Sequence, residues 1–321
     1  MMKITKAALV VAALLAGTTV SFAQTKPLIA FAMPSVQGGF WVSMYYGVTE
    51  EAKALGFDAV VLDSGGFDKV AKQVEQIENL AQRKPKVMLV GATNAAGIRS
   101  TVERVIASGI PVVGLGSIPE PMDKLASIVL ADHYALGQLQ AECLAGALGG
   151  KGDVGVMAGP PGVDWAADRA RGFRESIAKI APGMKVVVEK TTVPGRTEGL
   201  KLMEDWLQGF PKIAGVYTVD DDMGAGVIDA LVQAQLEGKI KVSSSNLSPI
   251  GDSYLRKGYL QCESIQQIVL QGREAVRQAA KIMKGETPTK LIKTPAILVT
   301  AENVDKLDYS EIKAPRDFRP R

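Results

Sequence analysis

Residues 87–115, VMLVGATNAAGIRSTVERVIASGIPVVGL, carry the reading on which the fold turns. Residues 87–90 form a short apolar run of the kind that fills a strand covered on both faces. Residues 95–108 change to amphipathic helical spacing, and Gly109 closes the helix, since glycine tolerates the left-handed conformation of a helix end. Residues 111–115 return to an apolar strand. Strand, helix and strand in so short a length is the unit from which parallel sheets are built, because a parallel neighbour can only be reached by a crossover.

The pattern extends in both directions. Upstream, residues 28–33 read as strand, 40–55 as helix ended by Gly56, 57–62 as strand and 68–83 as helix. The rhythm restarts after Asp132, with helices over 136–148, 167–180, 197–210, 223–233, 250–257 and 267–283, and strands over 153–157, 185–190, 214–218 and 240–244. Two such series, broken unevenly at 117–121 and 149–152, predict two doubly wound α/β domains; one eight-stranded barrel is the competing arrangement. In open sheets of this class ligands bind beyond the carboxyl ends of the strands.

The first 23 residues read as an export signal. Lys3 and Lys6 precede an apolar run over 7–20, and Ser21, Phe22 and Ala23 offer a small-residue cleavage site. The mature chain is expected to start near Gln24 and to reside in the periplasm. The 37 basic and 34 acidic residues of the full sequence are interspersed, with no basic cluster, so nothing marks a nucleic-acid partner. Cys143 and Cys262 fit either one disulfide or two buried thiols.

The catalytic inventory is thin. His133 is the single histidine, which removes histidine-based zinc sites, and the glycine-rich phosphate loops and the nucleophile elbow are missing. A non-catalytic protein without a cofactor or metal is expected; Asp132 with His133 is the one adjacent pair that an enzyme reading could use. Asp220, Asp221 and Asp222 follow a strand end, where one carboxylate is expected to face a ligand and the others to cap the next helix. Phe40, Trp41, Phe67 and His133 also gather at strand ends, either as pocket lining or as core.

Taken as a set, several stretches resemble the ribose-type periplasmic binding proteins, the type I solute-binding fold. They are Phe40-Trp41-Val42-Ser43 with Gly47, Leu55-Gly56-Phe57, Gly109-Ile110-Pro111-Val112-Val113, Gly172-Phe173, Asp221-Asp222-Met223 with Gly226, and Gln266 ahead of Gly272. The resemblance implies two doubly wound lobes joined by three hinge crossings. The N-terminal lobe takes 24–131 plus 267–295, the C-terminal lobe 132–266 plus 296–321, and the ligand lies between them. It also implies a protein that is a monomer when free and presents its closed form to a membrane partner. Positions that read sugar hydroxyls in the family hold Gly38, Gly91, Gly116, Ser117 and Ala167 here, which argues against an ordinary pentose or hexose. The runs Phe40-Trp41-Val42-Ser43-Met44-Tyr45-Tyr46-Gly47, Asp63-Ser64-Gly65-Gly66-Phe67 and Phe318-Arg319-Pro320 are similar to the TorT-like branch, which senses trimethylamine N-oxide. That likeness implies a small polar or amine-type ligand held by Phe40, Trp41, Phe67, His133, Trp165, Asp220, Asn246 and Gln266, with a membrane histidine kinase as partner. The short spacer between the cleavage site and Leu28, where the sensor has an extra segment, favours the alternative: the binding component of an ABC importer, docking on its permease.

Overall fold

A strand buried on both faces needs helices on both, and the chain supplies them in alternation. The computed structural model describes residues 26–36 and 39–320; the expected leader and Gly38 lie outside the described residues. The first series is β1 (Leu28–Met33), α1 (Gly39–Ala54), β2 (Asp58–Asp63), α2 (Val70–Gln82), β3 (Val87–Val90), α3 (Arg99–Ala107), β4 (Val112–Leu115) and β5 (Ser127–Ala131). The second is α4 (His133–Ala147), β6 (Lys151–Gly159), α5 (Asp164–Ile180), β7 (Gly183–Thr191), α6 (Arg196–Gly209), β8 (Ile213–Thr218), α7 (Asp221–Gln233), β9 (Lys241–Ser245), α8 (Pro249–Arg256) and β10 (Cys262–Ile265). The chain then returns through α9 (Ile268–Met283) and β11 (Leu291–Thr294) before β12 (Ile297–Val299).

Two six-stranded sheets result, ordered β11-β5-β4-β3-β1-β2 and β12-β10-β9-β8-β6-β7. Every pairing is parallel except that of β12 with β10. The expected two α/β lobes are therefore present, and a single barrel is not. Strands β5 (SIVLA), β10, β11 and β12 (ILV) fall outside the expected series; of these, β10 is the polar run CESI, and β11, LIKT, is an edge strand with one side in water, so neither shows an apolar run.

Side-chain alternation explains how one sheet serves two cores. In the first lobe Ile29, Phe31 and Met33 join the cluster under α1 and α9, whereas Ala30 and Ala32 join the opposite cluster under α2 and α3. Reciprocal glycines let helices meet at the backbone. A Cβ on Gly47 would strike the Val269 carbonyl of α9, and one on Gly272 would meet α1 at Met44 O, 2.6 Å away. Gly137 with Gly172 bring α4 onto α5 in the same way, and Gly199 with Gly226 bring α6 onto α7.

The unusual strand run Ser243, Ser244 and Ser245 is buried, so its hydroxyls need partners. Gln140 of α4 supplies them: it accepts from Ser243 Oγ (2.9 Å) and donates to Ser245 Oγ (2.8 Å) and Ser264 Oγ (3.3 Å). Thr218 Oγ1 donates to Ser244 Oγ at 2.9 Å on the other face.

The chain passes between sheets three times, from β5 to α4, β10 to α9 and β11 to β12. Each passage leaves the carboxyl end of its strand, and β12 starts opposite Ile265, the end of β10. The carboxyl edges of the two sheets must therefore face each other. The crossings are bonded among themselves, Asp132 N–H to Thr294 O (3.1 Å) and Gln267 Nε2 to Pro295 O (3.1 Å). The C-terminal tail spans both lobes: Val304 and Ile312 sit in the second core, while Ala314 N–H donates to Ser43 Oγ (3.0 Å) of α1 and Phe318 packs on Tyr45 and Tyr46.

Of the two states open to the cysteines, the structure has the bonded one. Cys143 and Cys262 form a disulfide with Cα atoms 6.5 Å apart, tying α4, which follows the first crossing, to β10, which precedes the second. A bridge across a long loop removes freedom mainly from the unfolded chain. Replacing both cysteines by serine should lower unfolding free energy by about 2–5 kcal/mol, measured by chemical denaturation. Alkylation of either thiol in the native, unreduced protein would contradict the bond.

Candidate functional site

The carboxyl edges gather most of the side chains singled out from the sequence into two groups, one per lobe. On the first lobe, the start of α1 presents Phe40 and Trp41, and the loop after β2 presents Phe67. Phe40 meets Trp41 edge to face at 5.2 Å between centroids, and Trp41 lies 6.3 Å from Phe67. Trp41 is only 4% exposed and belongs to the core under α1, whereas Phe67 is 53% exposed at the rim. Of the two expectations for Trp41, the structure shows core, with the ring packed beside Phe40 and Phe67 at the carboxyl edge.

Two glycines explain how so large a ring fits there. Gly91, just after β3, would carry its Cβ into the ring, 2.6 Å from Cζ3. Gly116, just after β4 at φ +71°, would place one 3.4 Å from Cη2 and 3.1 Å from the Met44 methyl. These are positions where polar groups were missed in the sequence. Their lack of side chains is the seat of Trp41, and it makes this wall aromatic rather than vacant.

On the second lobe, His133 opens α4 and Trp165 stands in the first turn of α5, with ring centroids 6.3 Å apart. Arg169, which sequence reasoning passed over, joins them. Its Nε donates to His133 Nδ1 (3.3 Å), one terminal nitrogen donates to Val219 O (2.9 Å), and its guanidinium lies 5.0 Å over the Trp165 ring. The signal was present: Arg169 shares the buried stripe Ala166, Ala170, Phe173 and Ile177 on α5, where a charge needs a reason. The Asp132–His133 pair that an enzyme reading could use does not form. The Asp132 carboxylate accepts from Ala135 N–H at 3.2 Å and pairs with Lys293. Burial, with Arg169 and Lys293 nearby, takes the His133 pKa down to about 3, so the ring is neutral with its proton on Nε2.

The acidic triplet divides its tasks differently from the expectation. Asp220 is itself the cap of α7, accepting from Met223 N–H at 3.0 Å. Asp221 turns inward to accept from Ser248 N–H at 2.5 Å, and Asp222 stays in the exposed first turn. Asn246, just past β9, is exposed at φ 101°. Gln266 is 8% exposed, and its Oε1 accepts from Gln271 Nε2 at 3.4 Å, which leaves its own N–H groups as donors. Phe40, Trp41 and Phe67 thus group at the first lobe's edge, while Asp220, Asn246 and Gln266 each stand at a strand end of the second. Among the described residues no group of metal-ligating side chains is assembled.

Comparison with known proteins agrees with this geometry. A family model described as a periplasmic binding protein domain matches residues 29–287. The ribose import binding protein RbsB of Bacillus subtilis is 28% identical over 272 residues, covering 85% of this chain and 87% of that protein. The D-apiose import binding protein of Actinobacillus succinogenes is 30% identical over 309 residues, covering 96% and 98%. An ABC transporter solute-binding protein of Actinobacillus succinogenes, solved with bound D-allose, superposes with a TM-score of 0.78 at 26% identity, over 88% of this chain and all of that one.

Asp220 gives a measurable consequence. Burial raises its pKa to about 6, with Asp221 and Asp222 adding to the rise and the Met223 N–H and Arg169 opposing it. The folded state thus holds the proton more tightly than the unfolded chain, so this group costs stability increasingly as pH rises from about 4 to 6, and fully above that. Asp220→Asn keeps an acceptor for the cap and removes the charge. It should stabilise the free protein at pH 7 by roughly 1–3 kcal/mol, and the gain should vanish below about pH 4, as followed by thermal unfolding across pH.

Proposed function

We propose, from the premise that this chain belongs to the periplasmic binding protein family, that it is the substrate-binding component of an ABC importer for a small sugar or polyol. The chain is a binding protein and not an enzyme, as its substrate-binding relatives are. The observation that supports the ligand class is the contrast between the two carboxyl edges: Trp41 seated on Gly91 and Gly116 in one lobe, and Asp220, Asn246 and Gln266 at strand ends in the other. A sugar has C–H faces that pack on aromatic rings and hydroxyl edges that need paired acceptors and donors. Relatives aligned over most of this chain import ribose and D-apiose, which supports the reading.

Phe40, Trp41 and Phe67 are assigned to the apolar face, and Asp220, Asn246 and Gln266 to the hydroxyls. His133 and Trp165 close the second wall. An amine-type ligand, as in the trimethylamine N-oxide sensors, is the weaker reading. Arg169 already occupies one face of Trp165 and donates to His133, so a cation placed there meets positive charge. The relatives reported above are importers, and none points to a histidine kinase. We place the hinged lobes at 24–131 with 267–295 and at 132–266 with 296–321, in a periplasmic protein freed of residues 1–23. Ligand draws the lobes together to the extent that it prefers the closed form, which the permease then receives.

The test is thermal stabilisation of the mature protein by D-ribose, D-apiose, D-allose, xylitol and trimethylamine N-oxide. A ligand at 100 times its Kd adds about 2.7 kcal/mol. One of the sugars or xylitol should do so, and Trp41→Ala and Asp220→Asn should each weaken its Kd by about tenfold or more. Stabilisation by trimethylamine N-oxide alone would return the protein to the sensor branch.

A further inference from the structure

The turn that carries Asn246 is held in a form its residues resist. Asn246 at φ 101° and Leu247 at φ 57° lie side by side in the left-handed region. Asparagine visits that region readily; leucine does so rarely. Such a turn persists only where its surroundings determine it. Here three successive N–H groups have fixed acceptors. Asn246 N–H donates to Ser264 O (3.2 Å), Leu247 N–H to Glu263 Oε2 (3.1 Å) and Ser248 N–H to Asp221 Oδ2 (2.5 Å). Consecutive amides in a left-handed turn form a concavity suited to an anion. The groups that fill this one, a carbonyl and two carboxyl groups, belong to the chain itself.

Glu263 is an unexpected resident of a strand core. It is fully buried on β10, and its second oxygen, Oε1, has no hydrogen-bond partner. That oxygen and Asp221 Oδ2 both lie against Gly251, where a Cβ would strike the first and stand 2.7 Å from the second. Two carboxyl groups so close in a buried site do not both ionise. Burial and the neighbouring Asp221 hold the Glu263 carboxyl well above its usual range; burial raises Asp221 as well, opposed by its bonds to Ser248.

We propose that Glu263 and Asp221 are positioning residues: a buried pair of carboxyl groups that moulds residues 246–248 and so aims Asn246 into the cleft. The aiming half rests on the reading that Asn246 binds ligand; the moulding half does not. Glu263 itself is out of reach of any ligand in the cleft, being enclosed by the turn, Gly251 and Asp221.

The experiment is amide exchange and Cα/Cβ chemical shifts of residues 246–248, by NMR on the mature protein without ligand. Glu263→Gln keeps an acceptor for Leu247 N–H and should preserve slow exchange and the left-handed shifts. Glu263→Leu should speed exchange of the Leu247 amide by about tenfold or more and move the shifts toward ordinary values. Adding Leu247→Gly to Glu263→Leu should restore the shifts of Asn246, because glycine takes the turn unaided. A folded Glu263→Leu with unchanged exchange and shifts overturns the proposal. Should that variant not fold, a wild-type Leu247 amide exchanging as fast as those of Ala301 and Glu302 overturns it equally. The aiming half is read from the Kd of whichever of D-ribose, D-apiose, D-allose and xylitol stabilises the wild type. Glu263→Leu and Asn246→Ala should each weaken it by about tenfold, with recovery in Glu263→Leu/Leu247→Gly. Loss of the turn with no change in Kd for any variant would overturn the aiming half and remove Asn246 from the ligand site.

Discussion

The three crossings, each leaving the carboxyl end of a strand, are the constraint from which the rest follows. Because the strands of each lobe run parallel, every loop after a strand opens on the same edge, and the crossings turn the two edges toward each other. The starts of α1, α5, α7 and α8 are thereby collected around one space, although they are far apart in sequence. The C-terminal tail adds a fourth link, with Arg273 of α9 paired to Glu311 and Phe318 seated on α1. Any opening must reckon with those contacts as well as with the crossing strands.

Within that frame the two walls are built on opposite principles. The first is large and apolar because small residues stand behind it: Gly91 and Gly116 let an indole occupy what would otherwise be side-chain volume. The second is polar, and its polar groups are supported from behind. Gln271 holds Gln266, Glu263 and Asp221 hold the Asn246 turn, and Arg169 holds His133. Several of these are buried charges or buried amides that cost folding free energy unless paired. Their concentration at one edge is what a binding site looks like when specificity has been obtained at the expense of stability.

The likeness to the trimethylamine N-oxide branch rested on aromatic runs and on polar positions replaced by glycine. Gly91 and Gly116 have a steric reason to lack side chains. Once Trp41 is seen lying on them, the same residues describe a stacking surface, which sugars use as readily as amines do. Arg169 bears on that choice, because a buried cation over Trp165 changes what that ring can attract.

By itself the sequence determined the alternation of elements, the division into two parallel-sheet lobes and the residues at strand ends, because those depend on local periodicity and on where glycine stops a helix. Gly56 and Gly109, both left-handed, mark such stops. The strands it hid, β10 and β11, are polar or at an edge, where periodicity carries little signal. Tertiary structure alone decided that Cys143 meets Cys262, that Gly91 and Gly116 serve Trp41, that Arg169 rather than Asp132 partners His133, and that Glu263 underlies Asn246. Each joins residues from different strands or helices. Chain order constrains such partners only through the packing of whole elements, and the spacing of the residues along the chain contains no record of it.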